Sequence, residues 1–186
     1  MLINEQSTSA RSTTLVTLRD AGPGDAEAVV AVHAASFPTD AEAKLVVELL
    51  AGHDVVFSLA AESPDRRPGI IGHALLTSMT HEDGGSVRGL VGLAPLSVLP
   101  EFRGRGIGKA LVREAVRQCR EHRIAALFVL GDPAFYGPLG FQPASKHGFT
   151  SDFDAGDAFQ MLPIPGTRPV PPGRVSYAPA FNIVAD

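Results

Sequence analysis

Apolar and polar positions divide the chain into alternating strand-like and helix-like runs. Thr14 to Arg19 alternates as a first strand, and Asp20-Ala21-Gly22-Pro23-Gly24-Asp25 supplies turn residues with Asp25 as a helix cap. A helix is predicted over about Ala26–Ser36, with Val29, Val30, Val32 and Phe37 on its apolar side. Pro38 closes it, because proline disfavours helical backbone in the residue before it. Thr39 or Asp40 caps a second helix, whose Leu45, Val46, Leu49 and Leu50 form a one-sided stripe that ends at Gly52.

Val55–Glu62, Gly69–Thr80 and Val87–Leu99 are rich in β-branched and aliphatic residues and predict three consecutive antiparallel strands. Pro64-Asp65-Arg66-Arg67-Pro68 and Asp83-Gly84-Gly85 separate them. The helical period is clearest over Gly106–His122, where Ile107, Leu111, Ala115 and Val116 share one side. Ile124–Leu130 then reads as a buried strand, Ala134–Leu139 as a short helical turn leading to Phe141, and Ala158–Ile164 as a last strand. A helix that joins neighbouring parallel strands is a right-handed crossover, and the loop before it is where α/β proteins hold anions.

Composition narrows this to one domain over residues 15–164. At 186 residues, with 45% hydrophobic and 19% charged residues, the chain suits one core. A polar lead over 1–14 is expected to be disordered, and a tail over 165–186 to pack on the same domain. Prolines at 163, 165, 169, 171, 172 and 179 predict an extended wrap there, not a regular helix.

No apolar run approaches the ~20 residues of a membrane helix, and Met1–Thr14 has no signal-like apolar stretch, so no membrane partner is expected. The single cysteine, Cys119, leaves no pair for a disulfide or a zinc ribbon, which suits a cytoplasmic location. No metal is expected, since the histidines show none of the usual ligand spacings. A net charge of −4 and the absence of tryptophan argue against a nucleic-acid partner. Against that balance, Arg103, Arg105, Lys109 and Arg113 crowd into eleven residues and mark a local anion site.

Arg103-Gly104-Arg105-Gly106-Ile107-Gly108-Lys109 lies between an apolar strand and an amphipathic helix, so its backbone N–H groups face whatever rests on the helix N-terminus. The spacing G-x-G-x-G is not the dinucleotide fingerprint, and Lys109 lacks the upstream glycine of a P-loop. Arg103, Gly106 and Gly108 instead match R/Q-x-x-G-x-G/A, and Phe135-Tyr136-Gly137-Pro138-Leu139-Gly140-Phe141 matches Y-x-x-x-G-F after the next strand. With both motifs in this order, the chain from about Leu15 to Ile164 resembles the GNAT acetyltransferases.

The resemblance implies a mixed α/β sheet of six or seven strands with about four helices on both faces. Leu93–Leu99 and Ile124–Leu130 would splay apart, with the pantetheine arm of acetyl-CoA between them. Leu96, Ser97 and Val98 would line that arm, the segment Arg103–Lys109 would hold the pyrophosphate, and Tyr136 would reach the sulfur. The implied activity is acetyl transfer from acetyl-CoA to a primary amine of a small molecule or peptide by direct attack in a ternary complex. Tyr136 would protonate the departing thiolate, a main-chain N–H near Val98 would meet the oxyanion, and Glu42, Ser97, His81 and Glu82 are candidates to relay the amine proton. Asp132 caps a turn or orients the amine. A catalytically silent coenzyme A-binding module, a different acyl group and a homodimer built through the tail stay open at this point.

Overall fold

The computed structural model describes residues 16–64, 66, 69–82, 89–153, 155–167 and 169–184 of the 186-residue chain. The polar lead over 1–14 lies outside the described residues.

Strand β1 (Thr17–Asp20) leads through a tight turn into α1 (Ala26–Ser36) and α2 (Ala41–Ala51). Asp25 does not cap α1 through its side chain. Its carboxylate accepts from the Gly22 N–H at 2.8 Å and pairs with Arg19 at 2.7 and 2.9 Å, so it braces the turn that precedes the helix. Arg19, first through that bond, holds the Asp25 carboxyl at about 2. Gly52 ends α2 with its N–H on the Glu48 and Leu49 carbonyls.

Strands β2 (Val55–Glu62), β3 (Ile70–Ser78) and β5 (Leu90–Val98) are antiparallel neighbours, with the two-residue β4 (Thr80–His81) between the last two in sequence. Helix α3 (Ile107–Glu121) crosses over to β6 (Ala126–Leu130), which is followed by α4 (Pro133–Tyr136), β7 (Gln142–Pro143), β8 (Phe149–Ser151), β9 (Phe159–Pro163) and β10 (Gly173–Ser176). Seven strands hydrogen-bond in the order β1-β2-β3-β5-β6-β9-β7. This is the expected mixed α/β sheet.

The two faces of the sheet are readable at adjacent residues of β3. A side chain at Gly72 would meet Leu111 and Ile107 of α3, whereas His73 reaches His33 of α1. Helix α3 therefore covers one face, and α1, with α2 packed beside it, covers the other. The predicted stripes supply the covering: Val29, Val32, Leu45, Val46 and Leu49 on one side, and Ile107, Leu111, Ala115 and Val116 on the other, are all buried.

The proline-rich tail is more regular than its composition predicts. Gly173–Ser176 contains no proline, so its N–H groups are available, and it pairs in parallel with β8 and antiparallel with β4 as a second, three-stranded sheet. A 3-10 turn over Pro179–Val184 then packs on α2, with Pro179 at a first position where no N–H is needed. Val175, Tyr177 and Phe181 are buried, which ties this segment to the main core.

Tyr177 lies across Gly92 of β5, where an added Cβ would come 2.3 Å from the ring. Changing Gly92 to alanine is therefore expected to displace Tyr177 and destabilise the fold by about 1–3 kcal/mol, the usual cost of overpacking. Thermal unfolding of the variant measures this directly.

Among the described residues no helix is long and apolar enough to cross a membrane.

Candidate active site

Strands β5 and β6 pair only from Leu90 to Gly92 against Ala126 to Phe128. Beyond Gly92 they diverge, and β5 continues to Val98 bonded to β3 alone. The Leu99 N–H donates to the Ile71 carbonyl at 2.9 Å, so the alternation of an antiparallel ladder turns the main-chain groups of Leu96 and Val98 the other way, into the gap. The distortion expected near Val98 lies a little earlier. The register shifts between Ala74 and Leu76, opposite Ala94–Pro95, because Pro95 has no N–H to give the ladder.

A cleft of about 520 Å³ opens on the α3 side of this gap. All of the predicted coenzyme residues line it except Arg105 and Tyr136. Gly104 and Gly106 have φ of +74° and +82°, left-handed backbone that favours glycine. Gly106 precedes the first turn of α3, whose leading N–H groups have no partner within the helix. At Gly108 a Cβ would press on Phe135 at 3.4 Å. No acidic residue stands in this first turn, and Lys109 makes no ion pair among the described residues.

The arginines behave differently from simple anion ligands. Arg103 donates through Nε to the Val98 carbonyl at 3.0 Å and through a terminal nitrogen, Nη2, to the Ser36 carbonyl, so it clasps the loop to β5 and to the end of α1. Arg105 donates to the Glu101 carbonyl and lies over the Phe102 ring at 5.2 Å. Within this loop the cation without an ion pair or hydrogen bond among the described residues is Lys109. A cradle of left-handed glycines, free helix N–H groups and one unpaired lysine fits a pyrophosphate.

A second cleft, of about 590 Å³, enters the gap from the opposite side and shares Leu96 and Phe135 with the first. Tyr136, Glu42 and Asp132 line it. Tyr136 is packed edge-on between Phe135 and Phe141, and its hydroxyl has no hydrogen-bond partner among the described residues. Gly131 makes room for it, since a Cβ there would come 2.5 Å from the ring. Burial pushes the Tyr136 phenol up to about 12, so it stays protonated at neutral pH. Asp132 spends one oxygen capping the Ala134 N–H at 2.8 Å. Glu42 is 3.5 Å from the Thr39 hydroxyl.

Ser97 contributes to the first cleft, but its side chain is buried and lies 3.3 Å from His33 Nε2. It ends a polar chain that sequence reasoning missed. His33 Nε2 is 3.0 Å from His73 Nδ1, and His73 Nε2 is 2.9 Å from the Ser58 hydroxyl. Both histidines are fully buried, and burial lowers them to about 3 for His33 and about 4 for His73. They are thus neutral imidazoles that bind α1, β2, β3 and β5 together.

Because both values fall below that of an unfolded histidine, about 6.5, the unfolded chain takes up protons first as pH drops. Their contribution is complete above pH 6.5 and is lost from there down to about 4 for His73 and about 3 for His33. Between pH 7 and 5 the loss is expected to be on the order of 2–4 kcal/mol. Chemical denaturation midpoints across this range test it, and His33→Gln is expected to flatten the slope.

The remaining candidates fall elsewhere. His81 is buried in the second sheet, 3.2 Å from the Pro171 carbonyl, and neither His81 nor Glu82 lines the two clefts. Cys119 is buried in α3 with its thiol pushed up to about 12, which leaves it unreactive. Phe102 and Phe135 were also missed, although Phe135 stands beside Tyr136 in the second motif.

Residues 27–141 match the model of the Acetyltransferase (GNAT) family. The chain is 36% identical over 125 residues to the uncharacterized N-acetyltransferase YhbS of Escherichia coli, covering 67% of this chain and 72% of that protein. The crystal structure of E. coli YhbS in complex with CoA superposes with a TM-score of 0.81 at 30% identity, covering 91% of this chain and 93% of the other. A GNAT family acetyltransferase from Brucella melitensis in complex with acetyl-CoA gives a TM-score of 0.73 at 28% identity, covering 90% and 99%. With its splayed strands, glycine cradle and paired clefts, the chain belongs to the GNAT acetyltransferase family.

Proposed function

We propose that this protein transfers an acetyl group from acetyl-CoA to a primary amine by direct attack within a ternary complex. The observation that carries this reading is the meeting of two clefts at Leu96 and Phe135, one with an anion cradle and one with acidic and aromatic walls. Such an arrangement lets donor and acceptor be held at once, which removes the need for an acyl-enzyme. The buried Cys119 offers no rival nucleophile.

In this reading the cradle from Gly104 to Lys109 binds the pyrophosphate, and the outward main-chain groups of Leu96 and Val98 run beside the pantetheine arm. The Val98 carbonyl is held by Arg103, so its N–H and that of Leu96 are the groups available to the developing oxyanion. An aliphatic amine, with a pKa near that of lysine at ~10, first loses a proton, and Glu42 in the second cleft receives it through water. The neutral nitrogen forms a bond to the thioester carbon, and the tetrahedral adduct collapses by breaking the carbon–sulfur bond. Tyr136 gives its proton to the departing thiolate, and the second proton of the nitrogen returns to the phenolate. Ser97 acts through His33 as a positioning residue that fixes β5 at the gap.

Isothermal titration with acetyl-CoA, followed by thiol release in the presence of an amine panel, tests the reading. Micromolar binding with amine-dependent release supports it. Binding with no release from any amine would leave a coenzyme-binding protein without transfer.

A further inference from the structure

We infer that the acceptor is an arylalkylamine, a primary amine on an apolar body carrying a ring, and that the C-terminal segment Tyr177–Phe181 selects it. This rests on the acetyl-transfer reading above.

The second cleft takes its walls from distant parts of the chain. Phe37 comes from the link between α1 and α2, Phe153 follows β8, and Tyr177 and Phe181 come from the tail. Phe153 and Tyr177 have ring centroids 5.9 Å apart and Tyr177 and Phe181 4.8 Å apart, so these three form one continuous aromatic surface. A planar apolar ring buries well on such a surface and a polar chain does not.

Charge selects the other end of the ligand. Among the described residues the charged groups lining the cleft are Glu42 and Asp132, with no lysine or arginine. Asp132 uses only one oxygen on its cap, and among the described residues Glu42 makes one hydrogen bond, at 3.5 Å. Two carboxylates and no cation favour an ammonium group and oppose a ligand that carries a carboxylate of its own.

A separate observation concerns Tyr177. Its side chain lines the cleft at 8% exposure, and its hydroxyl is buried without a hydrogen-bond partner among the described residues. With no exposed surface on its hydroxyl, Tyr177 offers the cleft its ring, an apolar face that suits a ring on the ligand.

The test is steady-state kinetics of the full chain at saturating acetyl-CoA with 2-phenylethylamine, 1,4-diaminobutane and phenylalanine. The first has ring and amine, the second lacks the ring, and the third adds a carboxylate. We expect kcat/KM for 2-phenylethylamine to exceed each of the others by about tenfold or more. Phe181→Ala is expected to raise the KM for 2-phenylethylamine about tenfold while acetyl-CoA binding by calorimetry is unchanged. Phe153→Ala, on a different segment, gives the same readout if the tail variant fails to fold.

Equal or better turnover of the diamine or of phenylalanine overturns the inference, as does an unchanged KM in both variants. So does a protein that turns over another amine but not 2-phenylethylamine. Failure to bind acetyl-CoA, or binding with turnover of no amine at all, overturns the underlying transfer reading instead.

Discussion

Replacing Tyr136 by phenylalanine is expected to lower kcat about a hundredfold while leaving the KM for acetyl-CoA and the melting temperature nearly unchanged. The expectation follows from the surroundings of the ring. Phe135 and Phe141 pack its edges, and Gly131 leaves it space, so a phenyl group keeps every packing contact. The hydroxyl has no partner among the described residues, so its removal breaks no internal hydrogen bond. What is lost is a proton held in place by a value near 12, available to a thiolate and to little else at neutral pH. A loss in kcat with equal acetyl-CoA binding is the signature of an interaction made in the transition state. Unchanged turnover would remove Tyr136 from the chemistry.

Changing Gly106 to valine is expected to act on binding instead. At φ of +82° an L-residue is strained by about 1–2 kcal/mol, and β-branching adds to this. The position has no atom within 4 Å of an added Cβ, so the fold itself does not obstruct the side chain. The obstruction is to the ligand, because Gly106 lines the first cleft at the N-terminus of α3. Acetyl-CoA affinity measured by calorimetry should fall more than tenfold, with a melting temperature lowered by only a few degrees. Equal affinity in the variant would move the pyrophosphate away from this loop.

The placement of these two residues at the clefts could be read because each belongs to a local pattern. The glycine spacing from Gly104 to Gly108, set between an apolar strand and the strongest amphipathic helix of the chain, is contained in a few consecutive residues. The same holds for Tyr136, which stands a fixed number of residues before Gly140 and Phe141. The helical stripes and the long strands were readable for a similar reason, since a period of 3.6 or 2 repeats several times within each.

What was not legible depends on register between distant segments. His33 and His73 lie 40 residues apart and meet only because α1 packs on the face of β3 that His73 occupies. In the sequence each is one histidine in an apolar setting, with nothing to indicate a partner. Pro95 was a readable signal for the irregularity in β5, since proline inside a central strand marks a bulge. The strands β4, β8 and β10 have two to four residues each, too few for alternation to register. The tail is the most consequential case. Its prolines conceal the proline-free stretch that forms β10, and thereby the delivery of Tyr177 and Phe181 to the second cleft.

Direct attack is the central claim, and initial-velocity kinetics test it most directly. Acetyl-CoA and the amine that turns over fastest in a panel are varied against each other, with thiol release as the readout. Two clefts that meet at Leu96 and Phe135 predict double-reciprocal lines that intersect, because both substrates are bound before any product leaves. Parallel lines, with a burst of thiol in the absence of amine, would mean that the acetyl group rests first on the protein, and would contradict the account.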